Sequence, residues 1–206
     1  MLMFSAFRTL IVLFLFAVPP ATHAADRTIL VFGDSISAGY GLKAGEGWVA
    51  LLQKRLASEG YGYQVVNASV SGETTSGGNA RLPRALALHR PSVLVLELGA
   101  NDGLRGLSLE VSRHSLADMI EAGQASGAKV LLLGMRIPPN YGVRYTEGFE
   151  RMYADLASRF RVPLVPFFME KVALDSRLMQ SDGLHPAAAA QPLLLDTAWP
   201  VLRPLL

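Results

Sequence analysis

With 206 residues, half of them hydrophobic and 17% charged, the chain has apolar material for one sizeable core and too little length for two comfortable domains. Its formal charge of +2 is a near-balance, and lysine and arginine are scattered rather than striped, which leaves nucleic-acid binding without an electrostatic footprint. Cysteine is absent, excluding disulfides and thiol nucleophiles, and the spacing of His23, His89, His114 and His185 resembles no zinc site; neither metal nor cofactor is expected.

The first residues read as an export signal. Arg8 supplies a positive start, residues 9–18 are apolar, and Pro19-Pro20 break any helix. Thr22 and Ala24 then offer small side chains at the −3 and −1 positions of a cleavage site. The apolar run is short of the ~20 residues a membrane span needs. The expectation is a leader over 1–24 cleaved after Ala24, and one domain over 25–206 that is periplasmic or secreted, with no membrane span remaining. An uncleaved anchor or a buried first helix is the alternative.

Short apolar runs then alternate with helical patterns. Residues 28–32 form a strand candidate ending at Gly33, and Trp48, Leu51, Leu52 and Leu56 recur at helical spacing before Gly60. A second strand is expected over 63–66, a helix over about 75–89 interrupted or kinked near Pro83, and a third strand over 92–97 followed by Gly99. Val111, Met119 and Ile120 mark a helix closed by Gly127, and 129–133 a fourth strand. Tyr145, Phe149, Met152, Tyr153, Leu156 and Phe160 make an apolar helical stripe. A fifth strand is expected over 162–167 and a last helix from near Pro186 to about Trp199. Such alternation implies right-handed crossovers and a parallel sheet covered on both faces. The fold class is α/β: a three-layer α/β/α sandwich on a five-stranded parallel sheet, flavodoxin-like, with strand order 2-1-3-4-5.

In open parallel sheets the site lies beyond the carboxyl ends of the strands. Four polar clusters fall there: Gly33-Asp34-Ser35, 67–72 ending in Gly72, Gly99-Ala100-Asn101-Asp102, and Asp182-Gly183-Leu184-His185. Each alone reads as a turn or a helix cap, because Asp, Ser and Asn favour both. Together, in this order and on one rim, they resemble the SGNH, or GDSL-type, hydrolases. The likeness spans the whole mature chain, with Ile36 standing where the family name has leucine. Residues 53–56, 98–106 and 138–142 are most similar to the bacterial periplasmic thioesterase I / protease I / lysophospholipase group.

That resemblance implies a serine hydrolase with catalytic Ser35, Asp182 and His185. A serine hydroxyl needs a base during attack. His185 is the histidine in a strand-edge polar loop, whereas His89 and His114 fall in helical patterns. Asp182 lies three residues before it and can fix its tautomer, or else caps the last helix. The G-x-S-x-G elbow of α/β-hydrolases is absent. The resemblance assigns the oxyanion hole to the backbone N–H of Ser35, the backbone N–H of Gly72 and the side-chain amide of Asn101. Asp34 and Asp102 read as local structure. Leu104, Leu107, Ile137, Pro138, Pro139 and Tyr141 are candidates for an apolar substrate pocket. The substrates that the resemblance implies are aryl esters, thioesters and lysophospholipids; a monomer is the default expectation because no long apolar helix stripe is left over after the core is built, and no nucleic-acid partner is expected. A carbohydrate O-deacetylase of the same superfamily and a non-catalytic lipid- or glycan-binding module are the alternatives.

Overall fold

The structure is a computed structural model that describes residues 27–206; the leader expected over 1–24, with its cleavage after Ala24, lies outside the described residues. Five strands, β1 (Arg27–Gly33), β2 (Tyr63–Asn67), β3 (Val93–Glu97), β4 (Lys129–Leu133) and β5 (Leu164–Val165), pair in parallel in the order β2-β1-β3-β4-β5. The expected order 2-1-3-4-5 and the α/β/α layering are both observed. Among the described residues seven α-helices complete the layers: α1 (Ser35–Ala38), α2 (Trp48–Ser58), α3 (Thr75–His89), α4 (Ala100–Leu104), α5 (Leu109–Ala125), α6 (Val143–Phe160) and α7 (Gln191–Leu202). α3, α5 and α6 pack side by side on one face, and α2 packs against α7 on the other.

Covered on both faces, β3 is buried from Val93 to Glu97, which is why its sequence runs apolar without alternation. Ile29, Leu30, Val31 and Phe32 of β1 are likewise fully enclosed. Each such side chain contributes about 1.5–3 kcal/mol on burial. The α6 stripe follows the same logic: Phe149, Met152, Tyr153 and Leu156 are buried, while Tyr145 and Phe160 at its ends are half-covered.

Three expectations need correction. β5 is two residues long rather than six, because Pro163 and Pro166 flank it and neither can donate to a ladder. The last helix begins at Gln191 rather than near Pro186, after a 3-10 turn at Ala188–Ala190. This leaves His185 and Pro186 in a loop. The helix beginning at Thr75 is not interrupted at Pro83 but continues through it to His89. Among the described residues no helix is long and apolar enough to cross a membrane.

Candidate active site

The turn after β1 is built for close approach. A side chain at Gly33 would collide with the Glu97 carboxyl and backbone on the neighbouring strand, so only glycine lets β1 turn there. Asp34 then caps α1, its Oδ1 accepting from the Ile36 N–H at 3.0 Å. Ser35 is the first residue of that one-turn helix and stands half-buried at the carboxyl edge of the sheet.

His185 arrives from the far end of the chain on a clasped loop. Met179 bridges Pro186, the Gln180 N–H donates to the His185 carbonyl at 2.7 Å, and Ala187 N–H donates to Leu178 O at 2.7 Å. The Gln180 side chain ties the loop to the serine turn, its Nε2 donating to Tyr40 O at 2.8 Å and to Pro186 O at 3.1 Å. Within the loop, Asp182 Oδ1 accepts from the N–H groups of Leu184 (2.9 Å) and His185 (3.0 Å). Its Oδ2 lies 2.6 Å from His185 Nδ1, and His185 Nε2 lies 2.9 Å from Ser35 Oγ. The Tyr40 ring covers the imidazole at 4.5 Å between centroids. Hydrogen bonds from the His185 N–H and ring, then from the Leu184 N–H, hold Asp182 well below the usual carboxylate range. It is anionic wherever an imidazole could act as a base.

Two further loops face the serine. Gly72 adopts φ +79°, a left-handed conformation that glycine takes without strain, and its carbonyl accepts from Arg105 Nη2 at 3.1 Å. Asn101 is the second residue of α4, and its Nδ2 donates to Asp34 Oδ2 at 3.1 Å. Among the described residues neither the Ser35 nor the Gly72 N–H donates to another backbone group, so both are available to a substrate oxygen. Asp102 faces inward, accepting from the N–H (2.9 Å) and hydroxyl (2.6 Å) of Thr75 and from the Ser112 hydroxyl (3.0 Å). It pins the start of α3, the structural part expected of it. His114 is an exposed side chain beside Asp118, and His89 ends α3.

Beneath this group lies a carboxyl pair that the sequence reading did not single out. Glu97 Oε2 accepts from the Ser37 hydroxyl at 2.7 Å and from the Asp34 N–H at 3.3 Å. Complete burial, reinforced by the neighbouring Asp34 charge, pushes the Glu97 carboxyl well above its ordinary range. Burial also dominates at Asp34, raising it to about 6 despite favourable contacts from the Ile36 N–H, His185 and Asn101. Glu97 was hidden in the sequence because it ends an apolar strand, where a polar residue reads as the onset of a loop.

The cavity beside Ser35 has a volume of about 420 Å³ and a mainly apolar wall. Leu104, Ile137 and Pro138 line it as expected. Leu107, Pro139 and Tyr141 do not; Tyr141 stands behind the wall, its hydroxyl donating to Leu104 O at 2.6 Å. Met135, Phe167 and Met169 take their place. Met135 and Phe167 follow the ends of β4 and β5, the position that pointed to the polar clusters and could have pointed to them. Among the described residues no group of three His, Asp or Glu side chains could hold a metal ion.

Residues 31–192 match the GDSL-like Lipase/Acylhydrolase family. The chain belongs to that family. Within the GDSL-like acylhydrolases it is 57% identical to Esterase TesA of Pseudomonas aeruginosa, over 89% of this chain and 92% of that one. It is 46% identical to Thioesterase 1/protease 1/lysophospholipase L1 of Escherichia coli, over 88% and 86%. The crystal structure of the psychrotrophic esterase EstA from Pseudoalteromonas sp., inhibited by monoethylphosphonate, superimposes with a TM-score of 0.83 at 41% identity, covering 87% of this chain and 98% of that one.

Proposed function

We propose that this acylhydrolase is a serine ester and thioester hydrolase whose catalytic residues are Ser35, His185 and Asp182. The observation that carries the reading is the unbroken line of short contacts from Asp182 through His185 to Ser35, opening on an apolar cavity. Ser35 Oγ attacks the acyl carbon as His185 Nε2 takes its proton. Asp182 keeps the other ring nitrogen protonated and stabilises the imidazolium. The carbonyl oxygen, now an anion, is met by the N–H groups of Ser35 and Gly72 and by the Asn101 amide. Collapse passes the proton to the leaving alcohol or thiol and leaves an acyl-serine. Water, deprotonated by His185, then releases the acid and restores Ser35.

A 420 Å³ apolar cavity lies within the usual size of small-molecule sites and suits a medium acyl chain. Rates on p-nitrophenyl esters from acetyl to decanoyl, with an octanoyl thioester beside them, test this. Octanoyl substrates are expected to turn over faster than acetyl ones; activity on acetyl esters alone would favour a deacetylase. The proposal extends to an exported monomer cleaved after Ala24, acting on lysophospholipids or other acyl esters outside the cytosol, where acyl-CoA is absent. Export rests on the three-part leader pattern, and N-terminal sequencing of the exported protein checks it: residue 25 is the expected start.

A further inference from the structure

The Asp34 carboxyl performs no step of the acyl transfer described above, yet it touches two of its parts. Oδ1 caps α1, the helix that carries Ser35, and Oδ2 accepts from Asn101 Nδ2 at 3.1 Å. A side-chain amide is nearly symmetric in shape and opposite in chemistry at its two ends. Turned by half a rotation, Asn101 would offer a carbonyl where it now offers N–H, and would repel the charge that develops on a substrate oxygen. We propose that Asp34 is a positioning residue that holds Asn101 in its donor orientation; this rests on the reading of Asn101 as an oxyanion donor.

The chemistry of the contact is one-sided. An ionised carboxylate only accepts, so only Nδ2 can face it. Nδ2 carries two hydrogens, and committing one to Asp34 leaves the other for the substrate. At 1% exposure Asp34 has almost no water to compete for Oδ2. Desolvation raises it to about 6, which leaves it ionised at neutral pH. The groups that act on it from neighbouring elements are His185, which favours the anion, Asp102 on α4, which opposes it, and Glu97 on β3. Burial and the Asp34 charge push Glu97 towards its protonated form, and Asp34 is the member of the pair that faces Asn101.

Asp34→Asn separates this role from capping, because asparagine caps a helix as well as aspartate does. With its oxygen still on the Ile36 N–H, it turns an NH₂ towards Asn101 and favours the wrong amide orientation. The test is a double-mutant cycle with Asn101→Ala, read as kcat and KM on p-nitrophenyl octanoate, with folding checked by circular dichroism. Asn101→Ala is expected to lower kcat ~10²–10³-fold, and Asp34→Asn roughly 10²-fold with KM little changed. Adding Asp34→Asn to Asn101→Ala should then cost less than about twofold, since its target is gone. Asp34→Ser, which also caps but is too short to reach Asn101, should behave the same way and serves if the asparagine variant is unstable. The proposal is overturned if Asp34→Asn keeps kcat within about twofold of the parent, or if its loss is undiminished in the Asn101→Ala background. A parent-like rate for Asn101→Ala itself would instead remove the oxyanion reading on which the proposal stands.

Discussion

Asp182 and Asp34 are the same residue type set in opposite surroundings, one on an exposed loop and one on the floor of the site. Asp182 keeps contact with water and accepts three hydrogen bonds, so its charge costs little and its pKa falls. Asp34 is enclosed, and burial raises it to about 6. Asp182 serves a group that must become charged, the imidazole; Asp34 serves a neutral amide whose direction is what counts. A cheap, permanent charge suits the first task and a desolvated, strictly directional acceptor suits the second. The comparison predicts that changes around Asp182 act on chemistry, whereas changes around Asp34 and Glu97 act on geometry and stability.

Losing the reacting groups should have the largest effect: Ser35→Ala or His185→Ala is expected to lower kcat ~10⁴–10⁶-fold on p-nitrophenyl octanoate, because the members act as a unit. Asp182→Asn comes next, at roughly 10²–10⁴-fold. Its carbonyl can keep the turn to Leu184 and His185 while its NH₂ disfavours the needed tautomer. A loss of folding stability with no such loss of kcat would move Asp182 from chemistry to structure.

On the buried side Asp34→Asn carries the roughly 10²-fold loss of kcat given above, and the remaining effects are smaller and thermodynamic. Gly33→Ala drives a methyl group against the Glu97 carboxyl and backbone, and should destabilise by about 1–3 kcal/mol in urea unfolding. Glu97→Gln should show itself in the pH dependence of Tm. A carboxyl whose native pKa is raised contributes stability while it is protonated in both states, below its unfolded pKa. That contribution is lost as pH rises towards the native value. For Asp34 the decline runs from 3.8 through about 6; for Glu97 it starts near 4.5 and runs upward from there. Glu97→Gln mimics the protonated form at every pH, so its Tm relative to the parent should rise as pH climbs above 4.5, by about 2–4 °C per kcal/mol. A flat difference would mean that Glu97 is not proton-bound in the folded protein.

Much of this was legible in the sequence, for reasons particular residues make plain. β1, β3 and β4 announce themselves because double coverage makes their sequences continuously apolar, and the sheet then delivers Ser35, Gly72, Asn101 and His185 to one rim. The length of β5 was harder to read: Val162 and Phe167 look like strand residues, and only the pairing geometry shows that Pro163 and Pro166 confine the ladder to two residues. Tyr141 follows β4 as closely as a pocket residue should, yet its hydroxyl is spent on the Leu104 carbonyl. Met169 lines the cavity from an aperiodic stretch that carries no signal. The Asp34–Asn101 contact joins residues 67 positions apart, and only the folded chain makes it visible.

The most direct test is covalent labelling with a fluorophosphonate probe, read by peptide mass spectrometry. Wild-type protein is predicted to take up one phosphonyl group, on Ser35, and His185→Ala to take up almost none. Folded wild-type protein that stays unlabelled, or that carries the group on another residue such as Ser71, would contradict the convergence of distant loops on one activated hydroxyl.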